Sequence, residues 1–499
     1  MSGSSPSPRP AGRTLVSGRW VVGHRHDRHV LIPNGEVVFE GDRIVFVGRD
    51  FPGEVARRID HHGGLVCPGF IDLDAVSDLD TGILALDNTP AWKKGRVWPT
   101  SYMARGPYEM YLPEQLAFQK RYAFAQLLRN GITTALPIAS LFYRRWAEMV
   151  EEFSAAADAA GALGLRVYLG PAYRSGHTCV DAAGTVSLAI DEEKGLAGLE
   201  DAVRFCRDVE GRHGDLVRTM LSPDRIESCT PELLRRTADA GRDLGVPVRL
   251  HCHQSDFEVN EVMRRHGLSP AAWLATLGFL NERALLPHAT HFPQLGDGTT
   301  RESDLALIRD AGATVVSCPV VMARHGAALV SLSRCRAMGL RVGLGTDTWP
   351  PDMILNMQVG LMLARVVDRS PDSVRSADLF DAATRIGADA LGRPDLGRLQ
   401  PGAKADIVVI DLGHDRIGPA IDPIQTLMVA GSGRDVRTVV VDGRLVVEDG
   451  VLAGFDAPAE HRRAQAQFDG MVEKYPDRTF GHPDLADIFP PTYPLDEAP

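Results

Sequence analysis

Long apolar runs are missing from this sequence, and cysteine is sparse. No apolar stretch approaches the roughly 18 residues that a membrane-spanning helix needs, so a membrane partner is not expected. The seven cysteines are odd in number, widely spaced and without a CxxC pair, which argues against a disulfide framework and a cysteine-based metal knuckle. The opening MSGSSPSPRPAGR has no apolar core of a signal peptide. We therefore expect a cytoplasmic protein in a reducing environment.

Positive charge is also in short supply. Lys and Arg number 54 against 65 Asp and Glu, and the formal net charge of −11 comes with no basic block. A chain with this balance is not expected to bind nucleic acid or an anionic membrane surface. Apolar residues make up 44% of the chain and charged residues 24%, which is typical of a globular protein with a large core. We expect its partner to be a small-molecule substrate.

Several kinds of segment follow one another along the chain. Residues 1–13 are rich in Ser and Pro and predict a disordered tail, whereas residues 14–66 carry short alternating strands. Residues 67–395 alternate short apolar runs with helical stretches that end in Gly, and eight such strands predict a (β/α)₈ barrel. Strands return over residues 396–455, and residues 456–499 predict a last helix and a Pro-rich tail.

Polar residues follow several of the predicted barrel strands, and barrel enzymes place their chemistry at that end of the strands. The first strand, LVCPGFIDLD, runs into Asp72, Asp74 and Asp78. The fifth leads to His251 and His253, the sixth to His288 and the eighth to Asp347. Imidazoles and carboxylates that converge from separate strands are what a divalent-metal site needs.

Longer stretches around these residues resemble the amidohydrolase superfamily, in its branch of deaminases and triazine hydrolases. PGFID is similar to the entry to the family's first barrel strand, VPVRLHCHQS to its fifth, LLPHATHF to its sixth and GLGTDT to its eighth. AATRIGADALGRPDLGRLQPGAKADIVVID resembles the family's closing segment. The resemblance implies an α/β fold, a (β/α)₈ barrel with a small β-sandwich built from the N- and C-terminal segments. It also implies a hydrolase that acts on a C–N bond other than a peptide bond.

The resemblance assigns roles, and the sequence departs from some of them. The family holds its metal with His-x-His on strand 1, but Asp74 and Val76 occupy those positions here. Gln254 stands where the family has a Glu that shuttles protons. The strand-5 metal ligand, the strand-6 histidine that polarises the leaving group and the strand-8 base are retained. The implied catalytic residues are Asp347, His288, His251 and Gln254, and the implied metal ligands are Asp74, His251 and Asp347.

This altered ligand set leaves three functions open. The first is hydrolysis of a small, planar substrate through an atypical mononuclear site of Zn²⁺, Fe²⁺ or Mn²⁺, which accept imidazole and carboxylate ligands. The second is metal-independent lyase, isomerase or cyclisation chemistry, in which Asp74 and Asp347 act as acid and base. The third is a non-catalytic homologue that keeps the fold for binding.

Two loops predict contacts with the substrate. The loop after strand 1 carries Trp92 and Trp98, whose rings suit a planar substrate or a contact between subunits of a homo-oligomer. The stretch YRSGHTCV after strand 3 offers Arg174 and His177 for polar groups, and His253 is a further candidate.

Overall fold

The computed structural model describes residues 9–79, 82–138, 141–293 and 299–496, and it leaves the side chains of residues 299–301 undescribed. Most of the predicted disordered tail, residues 1–8, lies outside this range. Arg9 is already attached to the folded protein, since its Nε donates a hydrogen bond to the Asp442 carbonyl oxygen at 3.0 Å. No helix within the described ranges is long and apolar enough to cross a membrane.

Four strands precede the barrel, and the last of them leads directly into it. They are β1 (Arg13–Arg25), β2 (Arg28–Glu40), β3 (Arg43–Gly48) and β4 (Arg57–Pro68). Thirteen further strands follow up to residue 344: β5 (Phe70–Ala75), β6 (Trp98–Pro99), β7 (Ile132–Pro137), β8 (Arg166–Leu169), β9 (Ala172–Tyr173), β10 (Gly176–Val180), β11 (Val186–Ile190), β12 (Val217–Thr219), β13 (Ser222–Pro223), β14 (Val248–Arg249), β15 (Ala284–Pro287), β16 (Thr314–Ser317) and β17 (Arg341–Leu344).

Eight of these strands have the arrangement predicted for the barrel. Parallel strands form two arcs, β12-β8-β7-β5 and β14-β15-β16-β17. A bridge between Leu221 and Val248 joins the arcs at one seam. At the other seam the Asp347 backbone N–H donates to the Asp74 carbonyl oxygen at 2.6 Å. Strands of this kind are buried on both faces, which explains their short, continuous apolar runs.

The remaining strands complete a sheet that also contains the N-terminal ones. They are β18 (Ile407–Asp411), β19 (Val436–Val441), β20 (Arg444–Glu448) and β21 (Val451–Leu452). The sheet order β21-β20-β19-β18-β4-β1-β2-β3 places the two chain segments side by side. Val16, Val37, Phe39, Ile407 and Val440 contribute to the separate core of this unit. The predicted domain boundaries at residues 66 and 396 stay predictions. In the structure, β4 runs on to Pro68 and β18 begins at Ile407.

Helices lie in the connections between the barrel strands and also in the C-terminal segment. They are α1 (Ile83–Leu86), α2 (Thr100–Arg105), α3 (Pro113–Arg129), α4 (Val150–Leu163), α5 (Glu192–Val209), α6 (Pro231–Leu244), α7 (Asp256–His266), α8 (Pro270–Thr276), α9 (Thr299–Asp310), α10 (Pro319–Arg324), α11 (Leu332–Ala337), α12 (Met353–Asp368), α13 (Ser376–Ala382), α14 (Arg385–Ala390), α15 (Pro423–Ala430), α16 (Ala457–Val472) and α17 (Leu485–Ile488). Helix α6 shows why they form where they do: Thr230 caps it by accepting from the Leu233 N–H, Pro231 starts it, and Gly245 ends it at φ 70°.

The last part of the chain packs against the loop that follows β5. The C-terminal segment, residues 457–496, contains α16, a 3₁₀ turn at Tyr475–Arg478 and α17. The buried Tyr475 hydroxyl donates to Asp87 Oδ2 at 2.9 Å and accepts from the Gly95 N–H at 3.1 Å. Arg478 Nε donates to the Gly95 carbonyl oxygen at 2.9 Å. The C-terminal segment therefore braces the loop that carries Trp92 and Trp98.

Candidate active site

The three carboxylates at the end of β5 have three different roles. Asp72 is a brace, because its Oδ1 accepts from the Thr346 N–H at 3.0 Å and its Oδ2 from the Thr346 hydroxyl at 2.6 Å. Asp78 forms a buried ion pair with Lys120, whose Nζ is 3.1 Å from Asp78 Oδ1. Of these three, the fully buried Asp74 faces His251, which follows β14 on the far side of the barrel arcs.

Asp74 is paired with a buried arginine that projects from β14. Arg249 Nε lies 3.4 Å from Asp74 Oδ1, and the guanidinium also donates to the Leu136 and Pro137 carbonyl oxygens at 2.7 and 3.2 Å. Burial raises the pKa of Asp74 well above its ordinary value, although Arg249 acts in the opposite direction. The second oxygen, Oδ2, remains directed at His251, whose Nε2 is 3.8 Å away.

Two histidine rings lie side by side next to Asp74. The ring centroids of His251 and His288 are 5.4 Å apart and the rings are nearly parallel. His251 Nδ1 is 2.8 Å from the Asp224 carbonyl oxygen, which leaves Nε2 for the site. Neither ring nitrogen of the buried His288 has a hydrogen-bond partner among the described residues. Burial lowers the pKa of both histidines well below the ordinary value, so both rings are neutral and able to donate electron pairs.

Asp347 completes the site from the end of β17. Burial raises its pKa to about 6, although the positive charges of Arg225 and Arg249 oppose the rise. Arg225 Nη1 donates to the side-chain oxygen of Gln254. Gln254 therefore holds a guanidinium near Asp347, a role that a residue unable to exchange protons can fill.

Among the described residues, metal-ligand atoms converge in two overlapping groups. The side chains of Asp74, His251 and His288 place one ligand atom each within 4.8 Å of one another, and so do those of His288, Cys318 and Asp347. His288 is the residue that the two groups share. The sequence predicted Asp74 and His251 together with Asp347, whereas the structure groups them with His288; the predicted ligand set stays a prediction. The Cys318 thiol donates to Asp74 Oδ2 at 3.6 Å, and burial raises its pKa, so it remains protonated.

In the described part of the chain, two adjoining cavities with shared lining residues lie at this site. The inner cavity, about 70 Å³, is lined by His251, Asp347, Ile138 and Val321. The outer cavity, about 450 Å³, is lined by Trp92, Arg174, His177, Glu227 and Phe257, among others. Both share a wall that contains Arg96, Phe142, Asp224, Arg225, Gln254 and His325. The volume of the outer cavity is typical of small-molecule sites.

The predicted substrate-binding residues do not all reach these cavities. Trp92, Arg174 and His177 line the outer cavity. Trp98 is fully buried behind them, with its ring 3.8 Å from the ring of His177, and supports that wall instead. His253 is absent from the described lining of either cavity, since its Nδ1 contacts the His291 carbonyl oxygen at 2.8 Å and its ring stacks on Phe292.

Sequence reasoning missed two arginines that shape the site. Arg249 stands two positions before His251, and strand periodicity places both on the same side. Arg225 ends the stretch SPDR, just before the 3₁₀ turn at Ile226–Ser228, and no local pattern marks it. Several site residues also have left-handed backbones, with φ of 60° at His253, 90° at His288 and 59° at Asp347. Such conformations outside glycine concentrate at functional sites.

Comparison with known proteins identifies the family. Residues 65–446 match the amidohydrolase family. A 5-methylthioadenosine/S-adenosylhomocysteine deaminase of Natronomonas pharaonis is 27% identical over 441 residues, which cover 87% of this chain and 93% of that protein. A 5′-deoxyadenosine deaminase of Methanothermobacter thermautotrophicus is 27% identical over 428 residues, covering 84% and 91%.

Solved structures show the same fold. An adenosine deaminase of Xanthomonas campestris with bound zinc superposes with a TM-score of 0.76 at 21% identity, covering 93% of this chain and 100% of that one. A triazine hydrolase from Arthrobacter aurescens gives 0.73 at 21% identity, covering 92% and 99%. The predicted (β/α)₈ architecture is therefore confirmed. This chain belongs to the amidohydrolase family, and the prediction of a hydrolase that acts on C–N bonds other than peptide bonds is confirmed with it.

Proposed function

We propose that this enzyme removes an amino group by hydrolysis from a small amino-substituted heterocycle. The observation that carries the proposal is that His251 and Asp347 line the inner cavity, and that His288 shares one group of ligand atoms with His251 and another with Asp347. Both nitrogens of His288 are unpaired among the described residues. The relatives named as deaminases of adenosine-type nucleosides support this reaction, and the triazine hydrolase supports a planar ring. An inner cavity of about 70 Å³ accommodates the reacting edge of such a ring, and the outer cavity holds the rest.

The donor set fits a divalent cation. Asp74 Oδ2, His251 Nε2 and a ring nitrogen of His288 are within ligand spacing, and carboxylate with neutral imidazole is a set that Zn²⁺ accepts. Arg249 pairs with Oδ1 of Asp74, whereas Oδ2 accepts the weak thiol donor of Cys318 at 3.6 Å and faces His251. When bound, such a cation would supply an acidified water near neutral pH. Zinc in the related adenosine deaminase supports this identity, and Fe²⁺ or Mn²⁺ suit the same ligands.

Proton transfer falls to Asp347, because Gln254 cannot exchange protons. Asp347 takes one proton as the water oxygen bonds to the ring carbon that carries the amino group. It returns that proton to the amino nitrogen as the C–N bond breaks, so the carboxylate is restored and ammonia leaves. Arg225, fixed by Gln254, faces the negative charge that develops on the ring.

Ammonia release from amino-substituted purines, pyrimidines and triazines tests the reaction. We expect release by the wild type and a loss of at least a hundredfold in the Asp347→Asn variant, because removal of a general base has effects of about 10²–10⁴. The matched control is Asp243→Asn, an exposed carboxylate of α6, which should behave as the wild type. No release from any member of the panel, by a folded protein, would contradict the proposal.

Metal content tests the proposed ligands. Plasma mass spectrometry of protein purified without chelator should find about one divalent ion per chain in the wild type, and far less in Asp74→Ala and His251→Ala. A wild type that releases ammonia without any ion would show that the ligand assignment is wrong while the reaction stands. The predicted homo-oligomer stays a prediction.

A further inference from the structure

A buried arginine in the outer cavity has an unused binding edge. Arg174 is 1% exposed, and its Nε and Nη2 have no hydrogen-bond partner among the described residues. These two nitrogens form the side of a guanidinium that contacts both oxygens of a carboxylate or phosphate. The other side is partly used, since Nη1 lies 3.9 Å from Asp224 Oδ2. A buried donor without a partner costs free energy, so this edge indicates a ligand.

The surroundings of Arg174 fix its orientation. The guanidinium lies 5.3 Å from the ring centroid of Trp98 and 5.4 Å from that of Trp146. Trp146 Nε1 donates to the Arg174 carbonyl oxygen at 3.1 Å, which attaches the Trp146 ring to the backbone of the same residue. The guanidinium is therefore held between two rings before any ligand arrives, and a preorganised receptor loses less entropy on binding.

The outer cavity is positively charged although the whole chain carries −11. Arg96, Arg174 and Arg225 line it, against the carboxylates of Asp224 and Glu227. Burial raises the pKa of Glu227, which weakens its opposing charge. Nearby His177 adds a buried Nε2 that has no hydrogen-bond partner in the part of the chain that the structure describes. A cavity of this kind attracts an anion and disfavours a cation.

We propose that the outer cavity binds an anionic group of the substrate, a carboxylate or a phosphate, on the Nε–Nη2 edge of Arg174. The proposal rests on the proposed function, since the amino-substituted ring would occupy the inner cavity while the anionic arm extends outward past Arg225. It names the substrate class: small amino-substituted heterocycles with an acidic arm. The enzyme would prefer such substrates over neutral analogues, because a neutral analogue leaves the Arg174 guanidinium unpaired.

Binding of three probes tests the proposal: adenosine, adenosine 5′-carboxylic acid and adenosine 5′-monophosphate. Calorimetry would use the Asp347→Asn protein, which holds probes without turnover. We expect at least one anionic probe to bind at least tenfold more tightly than adenosine, and the stronger of the two identifies the acid. When Arg174→Gln is added to Asp347→Asn, the ratio of the Kd of adenosine to the Kd of the anionic probe should fall to about one. The reason is that a neutral amide replaces the guanidinium. The control Arg235→Gln removes an exposed arginine of α6 and should leave the ratio unchanged.

The outcomes separate this proposal from the proposed function. An anion preference below twofold, absence of binding by both anionic probes, or a ratio unchanged by Arg174→Gln would overturn the anion site. Thermal unfolding checks that variant, and if it fails to fold, the preference of the parent protein decides alone. Ammonia release from neutral heterocycles with no anion preference keeps the function and removes the site. Anion preference without ammonia release from any substrate does the reverse.

Discussion

Removal of the Arg249 guanidinium tests whether this side chain compensates the buried charge of Asp74. Replacing it by Met leaves Asp74 buried without a cation, and leaves the Leu136 and Pro137 carbonyls without their donor. With Asp74 ionised, at 3.4 Å and an effective dielectric constant of about 20, the attraction between the two charges is about 5 kcal/mol. Desolvation of both groups offsets much of it in the intact pair, but loss of one partner of a buried pair costs about 3–5 kcal/mol.

The assay is equilibrium unfolding of apoprotein in the presence of a chelator. Arg249→Met should lower the free energy of unfolding by about 3–5 kcal/mol. For a chain of 499 residues the unfolding entropy is about 1 kcal/mol per kelvin, so the midpoint should fall by about 3–5 °C if unfolding is two-state. Asp74→Asn removes the charge that Arg249 compensates. The double variant should therefore be more stable than the sum of the single losses allows, by about 1–3 kcal/mol.

Additive losses, with a coupling below about 0.5 kcal/mol, would refute this reasoning. Asp74 and Arg249 would then be independent, and the guanidinium would act through its two backbone carbonyls alone. A matched control is Arg235→Met on the exposed face of α6, which should change stability by no more than about 0.5 kcal/mol.

Two further predictions concern regions outside the site. Arg393 contacts both oxygens of Asp215, at 2.7 and 3.1 Å; burial alone would raise the pKa of this carboxyl, but the neighbouring cations outweigh it and lower the pKa to about 2. The stability that Asp215 contributes is present above the unfolded pKa of 3.8 and is lost as pH falls through about 2. Asp215→Asn should therefore lower the free energy of unfolding by about 1–2 kcal/mol at pH 7, and by progressively less in acid. A pH-independent difference between wild type and variant in denaturant titrations would contradict this. Tyr475→Phe leaves the Asp87 carboxylate and the Gly95 N–H without their shared partner, at a cost of about 1.5–3 kcal/mol, and hydrogen exchange around both residues should accelerate about tenfold or more. Unchanged exchange there would show that the C-terminal segment does not brace the loop.

The fold was predictable from the sequence because its signals are local. A short stretch of sequence is enough to recognise a buried strand, a helix that ends in Gly, or the closing segment. Asp74, His251, His288 and Asp347 were predicted in the same way, since each lies at or just after the readable end of a strand. His253 stays a prediction as a substrate contact: β14 ends at Arg249, the backbone of His253 has φ of 60°, and its ring stacks on Phe292.

Other parts of the site depend on contacts between residues far apart in sequence. The pairing of Asp74 with Arg249 joins the first and fifth barrel strands, and no local pattern records it. The same holds for Arg225 and Gln254, which meet across neighbouring strand ends. Trp98 was predicted at the substrate because aromatic rings favour stacking, but its ring is covered by His177. Composition shows which side chains are available, whereas burial decides which of them a substrate can touch.

The bracing of the loop after β5 by residues 457–496 has a consequence for biosynthesis. A ribosome completes the last barrel strand at residue 344, and at about 5–20 residues per second the C-terminal segment follows only after several further seconds. During that interval the barrel can form, but the partners of Asp87 and Gly95 do not yet exist. Support for the loop that carries Trp92 and Trp98 would thus arrive only once Tyr475 and Arg478 have been made, so that chains cut short before Tyr475 contain a barrel without this brace.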